Sequence, residues 1–355
     1  MIRFCSILFF SFPILLCAQE PVQIDEQITD SIQNEYILDH KKQLNVKLEV
    51  SNDISSFDVV GDDEELNLQP NLNLRYAAVF SYKFLSVRLG IRPKVSNESK
   101  EEKGDSDTFR LRFQLLFDNW QHVIEYNYDR GFYASNTDDF IDNSSKNYIQ
   151  FPHLTSNVFY LSSSYKFNKN YSMRAIESQT EIQAKSAGSL LPSASFIYYS
   201  LTGTDQIKDV DGNIINRDIY REYNGINFSV GLAYYYTFVL KKYWFINAFG
   251  IPSAGIDFYT SHVYNGDSTN SLNDNDAFLA FNYGFGGGYN GKKIFFGATY
   301  KNRITNEKFS SSKYRITPSN NSLSVYFGYR FKAPKQVSAP IDLIEDKVPI
   351  LKDNH

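Results

Sequence analysis

The chain has 355 residues, with Lys+Arg 36 against Asp+Glu 40 and a formal net charge of −4. That mild balance offers no basic stripe for a nucleic-acid backbone, so this class of partner is excluded. Aromatics make up 16%, with Tyr 26 and Phe 29 against Cys 2, and beyond residue 18 no apolar run reaches the ~18–20 residues of a spanning helix.

Residues 1–18, MIRFCSILFFSFPILLCA, read as a secretory signal: Arg3 precedes an apolar core from Ile7 to Leu16, and Ala18 offers a cleavage point. Leu16 before Cys17 disfavours a lipidated cysteine. Both cysteines, Cys5 and Cys17, fall in this leader, so the expected mature chain has no disulfide and no thiolate metal site. Losing Arg3 takes the charge to −5. Residues 19–43 are polar, with weak helical character from Ser31 to His40, and are expected to be a periplasmic lead-in.

From Leu44 the pattern becomes period two. Leu44, Val46, Leu48 and Val50 alternate with Asn45, Lys47 and Glu49, the signature of a strand with one apolar face. An acidic loop (51–65) leads to strands at 72–82 and 85–91, joined tightly at Lys83-Phe84. The run 97–105 (NESKEEKGD) reads as a solvated loop. The next strand alternates Phe109, Leu111, Phe113, Leu115 and Phe117 with Arg110, Arg112 and Gln114. An Arg at the bilayer midplane costs about 2–4 kcal/mol on the lipid face of a barrel, so these charges are expected in a lumen. Further strands are expected at 120–128 (continuing to Tyr133), 156–167, 226–238, 243–259, 278–289, 294–304 and 323–331.

Residues 171–201 admit two readings. Ser193 to Leu201 is strand-like, whereas Arg174 to Ser189 is polar and small. Two strands here make thirteen in all; one makes twelve. Only twelve puts the short turns near Lys83, Asp118, Asn168, Lys241 and Asn290 on one side and the long loops on the other, as in bacterial barrels. The expectation is therefore an all-β, transmembrane antiparallel barrel of about twelve strands over 44–331 after a cleaved signal peptide, with a polar periplasmic tail at 332–355. A secreted β-sandwich or propeller is the alternative. The surplus, Arg174 to Ser189, is expected to line or occlude the interior.

Residues 177–189, ESQTEIQAKSAGS, resemble the Gln-x-x-x-Gln-x-Lys-Ser-Ala-Gly-Ser signature of an uncharacterised outer-membrane family found in Bacteroidetes-type bacteria and catalogued as domain of unknown function 4421. Pro70-Asn71, Tyr82-Lys83-Phe84, Gly131-Phe132-Tyr133 and Phe196 to Ser200 agree with it, and the likeness covers roughly residues 35 to 331. Lys103 to Thr108 replaces the family's Gly-Lys-Thr, and the tail moves the terminal aromatic away from the C-terminus. The resemblance implies a fold and a location but no activity.

No catalytic constellation stands out. Gly286-x4-Gly291-Lys292 nearly matches a phosphate loop but lies on a strand hairpin and continues with Lys293. Ser310-x-x-Lys313 lacks its companion motifs. Asp209 to Asn213 resembles a calcium loop without its closing Glu. His40, His122, His153, His262 and His355 are scattered. The candidate site is a lumen network of Arg88, Arg92, Arg110, Arg112, Gln114, Glu125, Arg174, Glu177, Gln179, Gln183 and Lys185, with no catalytic residue, metal or cofactor. The expectation is a protein of the bacterial outer membrane in contact with its lipid, structural or a narrow channel. A lipid- or lipopolysaccharide-modifying enzyme and a partner-binding barrel are the alternatives.

Overall fold

The computed structural model describes residues 35–52, 56–60, 65–72, 74–91, 95–140, 148–203, 207–208, 214–216, 220–265, 268–306, 315–319 and 321–347. The expected signal segment and Arg92 lie outside them, as do parts of the long loops.

In chain order the strands are β1 (Ile37–Asp39), β2 (Gln43–Ser51), β3 (Ser56–Val60), β4 (Glu65–Gln69), β5 (Arg75–Tyr82), β6 (Leu85–Ile91), β7 (Asp107–Leu116), β8 (Trp120–Ala134), β9 (Gln150–Tyr165) and β10 (Glu181–Gln183). They continue with β11 (Ala187–Thr202), β12 (Ile207–Lys208), β13 (Ile214–Asn216), β14 (Tyr220–Leu240), β15 (Trp244–Asn265), β16 (Ser268–Asn290), β17 (Ile294–Asn306), β18 (Arg315–Ser319) and β19 (Ser322–Lys332). Short helices accompany them: α1 (Asn97–Lys103), α2 (Met173–Glu177) and α3 (Lys335–Lys347).

Twelve of these strands form one closed antiparallel barrel in the order β8-β7-β6-β5-β2-β19-β17-β16-β15-β14-β11-β9, and β8 pairs again with β9. The ends of the chain complete the ring, where Ser324 to Lys332 runs against Gln43 to Ser51. Closure leaves no strand edge for hydrocarbon to strip of hydrogen bonds. The single pass through 171–201 and the count of twelve are both as expected.

The alternation also sorts the faces as expected. Leu48, Val230, Leu279 and Val325 are each more than half exposed on the outside, while Asn45, Arg110, Gln114 and Asn227 are buried inside. Such an apolar outer belt with polar filling is the inverse of a soluble domain and belongs to a barrel of the outer-membrane type.

Several loops hold more structure than their composition indicates. Residues 97–103 form a helix, because Ser96 caps it by accepting a hydrogen bond from the Ser99 N–H. The acidic loop contains the hairpin β3–β4, which adds to the long-loop end of β8 through Leu68 and Ala134. Residues 260–276 continue β15 and β16 in register out to Asn265 and Ser268 rather than looping. The tail contains α3, a 13-residue helix. The polar excursion ends at Ser186, since Ala187 to Ser189 already pair with Tyr235 to Thr237 of β14. A Cβ at Gly188 would lie 2.7 Å from the Tyr235 carbonyl oxygen, so this register needs glycine.

Leu232→Arg on the outer face of β14 is expected to lower barrel stability by about 2–4 kcal/mol. Ser195→Arg, facing the lumen, is expected to cost less. Urea unfolding in lipid vesicles measures both.

Candidate functional site

The surplus between β9 and β11 folds into the lumen as a plug at the short-turn end. It begins after Lys166, whose ammonium donates to the Tyr171 carbonyl at 2.6 Å. The Ser172 hydroxyl accepts from the Ala175 N–H at 2.9 Å and starts α2. Gln179 then turns the chain back with φ 55, and β10 pairs with β1 of the lead-in. The lead-in expected at 19–43 is thus part of the plug from Ile37 to Asp39.

A five-residue helix leaves its last carbonyls without helical partners. Here the barrel wall supplies the donors. Lys47 reaches the Glu177 carbonyl at 3.3 Å, Asn45 that of Ser178 at 3.1 Å, and Asn290 those of Ala175 and Glu181 at 3.2 and 3.1 Å. Arg330 grips the Gln179 carbonyl through Nε and Nη2 at 3.2 and 2.6 Å. Cations at a helix C-terminus also oppose its dipole.

Arg174 ties the plug to the turn below. Its guanidinium donates to the Leu116 carbonyl, the Asp118 carboxylate and the Glu181 carboxylate, each at 2.9 Å. Glu181 further accepts from the Ser172 hydroxyl at 2.5 Å. Burial pushes the Glu181 carboxyl up, but Arg174, Lys41 and the Ser172 hydrogen bond outweigh it and hold its pKa below the ordinary value. Burial brings the Lys166 ammonium down to about 8.

Above the plug, the charges of β2 and β5 to β8 pair across one wall. Arg88 meets Glu49 at 3.0 Å and Arg112 meets Glu125 at 3.7 Å, while Arg75 and Arg110 share Asp129 at 3.3 and 3.5 Å. Glu177 joins this network from the plug, accepting from Gln114 at 3.1 Å. Burial raises the Glu177 carboxyl, yet Lys301, Arg112, the Gln114 hydrogen bond and Lys47 overcome that and hold it at about 2. The opposite wall is aromatic. Tyr199, Tyr223 and Tyr259 stack with centroids 5.7 and 5.5 Å apart, and the Tyr199 hydroxyl donates to Asp257 at 2.7 Å.

Between these walls lies a cavity of about 580 Å³, floored by Met173 and Glu177 and reached by Phe57 at the long-loop end. Phe57 also packs with Leu68, Phe132 and Phe151 in an apolar cluster under the outer hairpin.

A family model described as a domain of unknown function, DUF4421, matches residues 29–331. The chain belongs to this family. No curated protein matches it. Among solved structures, the outer membrane protease OmpT of Escherichia coli is 6% identical, with a TM-score of 0.36 over 82% of this chain and 95% of that one. The beta domain of the Bordetella autotransporter BrkA is 10% identical, TM-score 0.38, over 81% and 99%. The Pseudomonas putida toluene transporter TodX is 9% identical, TM-score 0.25, over 81% and 89%. The barrel assignment rests on the strand pairing of this chain itself.

The DUF4421 motif pieces occupy structural nodes. Asn71 donates its backbone N–H to the Ser106 hydroxyl at 2.7 Å, and that hydroxyl donates to the Gly131 carbonyl at 2.7 Å. Gly131 has φ 81, and a Cβ there would lie 2.2 Å from the Asp105 carbonyl oxygen. Within the central motif, Gln183 accepts from the Ser172 N–H and donates to the carbonyls of Asn170 and Lys185.

Of the residues expected in the lumen, Arg88, Arg110, Arg112, Gln114 and Glu125 line its charged wall, and Arg174, Glu177, Gln179 and Gln183 belong to the plug. Lys185 does not join them. It is exposed at the short-turn end and pairs with Glu35, over the Tyr36 ring. Asn45, Lys47, Asn290 and Arg330 are the plug's holders. In the sequence Asn45, Lys47 and Arg330 carry only inward parity, which many other polar residues share, and Asn290 reads as a turn residue before Gly291.

Arg174→Ala leaves Glu181 buried without its main cation, at a cost of about 3–5 kcal/mol. Hydrogen exchange over 173–183 is expected to accelerate while the barrel strands stay protected. A depressed carboxyl stabilises above its unfolded pKa and loses that effect as pH falls through the folded value. The Glu177 contribution is therefore expected to be complete above about pH 4.5 and lost towards pH 2, a change on the order of 1–3 kcal/mol because the cavity partly screens it. Glu177→Gln is expected to flatten this dependence in acid unfolding.

Proposed function

We propose that the protein is a plugged outer-membrane barrel with a structural, non-enzymatic role, its short-turn end facing the periplasm and its lumen closed to free diffusion. The observation that carries this reading is the set of hydrogen bonds from Asn45, Lys47, Asn290 and Arg330 to the plug's own carbonyls. They fix the plug by its backbone, so opening it would strand buried polar groups on both sides. The paired charges above it support a wall built for mutual solvation.

A second reading, a gated passage or solute chamber, has one observation in its favour. Gln121 Oε1, Asn127 Oδ1, Asn227 Oδ1 and Asp257 Oδ1 line the cavity and have no protein hydrogen-bond partner. A small polar solute, like water, would satisfy them. The enzyme reading gains less. His122 lies against Trp120 and Phe117, His40 against Gln43 and His153 against Arg130, so these imidazoles are engaged away from a hydroxyl nucleophile.

Planar-bilayer recording separates the readings. Wild-type protein is expected to be silent, and deletion of 173–184 or Arg330→Ala is expected to give discrete conductance steps. Steady wild-type currents would sink the closed-lumen reading.

A further inference from the structure

The C-terminal helix α3 turns Asp342 and Glu345 toward the barrel. Val337, Ser338 and Ile341 share this less exposed side with them. Lys83, in the β5–β6 turn, bridges Asp342 at 2.6 Å and also pairs with Glu345. The Tyr82 hydroxyl donates to Asp342 at 3.3 Å. Burial pushes the Lys83 ammonium down, but the hydrogen bonds it donates to Asp342 and Glu345 outweigh that and raise its pKa. The opposite side presents Ala339, Pro340, Leu343 and Ile344, the last two 54% and 48% exposed, with the exposed Gln336 and Lys347 at its two ends. At 100° per residue these positions share one face.

The place of this contact matters. On β5, Arg75, Ala77, Val79 and Ser81 are buried inward, while Tyr76 and Phe80 are exposed outward. Tyr82 continues the outward set, so α3 lies against the outside of the rim. It follows β19 after the two-residue link 333–334, and Phe331 near the end of that strand is 47% exposed on the outer belt. Running from β19 past β2 to the β5–β6 turn crosses about 10–15 Å of strand spacing, and thirteen residues of helix span about 20 Å. The helix therefore lies along the rim, level with the end of the belt. Lys332, Lys335 and Lys347 flank its apolar stripe.

We propose that α3 is an interfacial anchor: its Ala339, Pro340, Leu343 and Ile344 face inserts into the phospholipid leaflet beside the short-turn rim, with the flanking lysines at the headgroups. The stripe is continuous with the outer belt, which already requires hydrocarbon. An amphipathic helix in the interface plane buries such a face to a shallow depth. The proposal rests on the membrane placement of the barrel.

The test uses the full chain with Cys5 and Cys17 replaced by Ser, refolded in phosphatidylethanolamine–phosphatidylglycerol vesicles. A nitroxide is placed singly through Leu343→Cys, Ile344→Cys, Asp346→Cys or Val325→Cys. Labels at 343 and 344 are expected to collide with oxygen more, and with a water-soluble nickel chelate several-fold less, than the label at 346. Equal nickel access at 343, 344 and 346 would overturn the anchor. Protection of 343 and 344 from both reagents would also overturn it, in favour of a protein contact on that face. The label at 325 reports the barrel separately: if it is nickel-accessible, the membrane placement fails rather than the anchor alone. Lys83→Ala is expected to raise nickel access at 343 while leaving 325 unchanged.

Discussion

The end of one short helix governs the interior of this barrel. Between Ala175 and Glu181 the chain turns through a left-handed Gln179 and exposes a run of carbonyl oxygens inside a membrane protein. Those oxygens need donors. The Gln179 side chain serves Ile176, the His40 N–H serves Thr180, and the wall serves the rest at fixed geometry. Lys47 and Asn45 do so from one strand, Asn290 and Arg330 from two others. The plug is thus held by directional bonds to its backbone, and side-chain packing around Tyr171, Met173 and Ile182 completes the fit. Because the holders sit on strands that also carry the outer belt, the plug's position and the barrel's register are a single constraint.

Charge inside the barrel follows the same economy. Arginines at alternate positions of β7 must face inward, and once inside they need acids, which β8 supplies as Glu125 directly across from Arg112 and Asp129 diagonally from Arg110. Glu177 brings the plug into that network. The far wall instead holds stacked tyrosines whose hydroxyls find aspartates. The cavity therefore has a cationic-acidic face and an aromatic-acidic face.

The barrel was legible in the sequence because lipid outside and polar groups inside impose a strict period of two. Phe109 to Phe117 and Leu323 to Phe331 display it without interruption, and loop parity then settled the passage through 171–201. The plug's occupancy of the lumen was legible from its surplus length and polarity. Its holders were not, because Asn45 looks like any inward-facing polar residue, and Asn290 like any turn asparagine, until the partner carbonyl, over a hundred positions away, is known. Lys185 misled for the opposite reason: a charged residue within the plug segment sits just where the chain emerges to the solvent. Helix α1 went unread because its charged composition suits solvent equally well as a loop, and only the Ser96 cap distinguishes the two.

The strand that closes the ring and the strand that opens it both touch the plug. Asn45 lies on β2, Arg330 lies on β19, and these two strands pair with each other across the ends of the barrel sequence. The plug is tethered at both ends, to β9 and β11, and clasped by β1 immediately ahead of β2. The plug therefore bridges the seam where the two ends of the barrel sequence meet: Asn45 on one side and Arg330 on the other bond to adjacent carbonyls of the same segment, so that seam is tied from within as well as along its strand ladder.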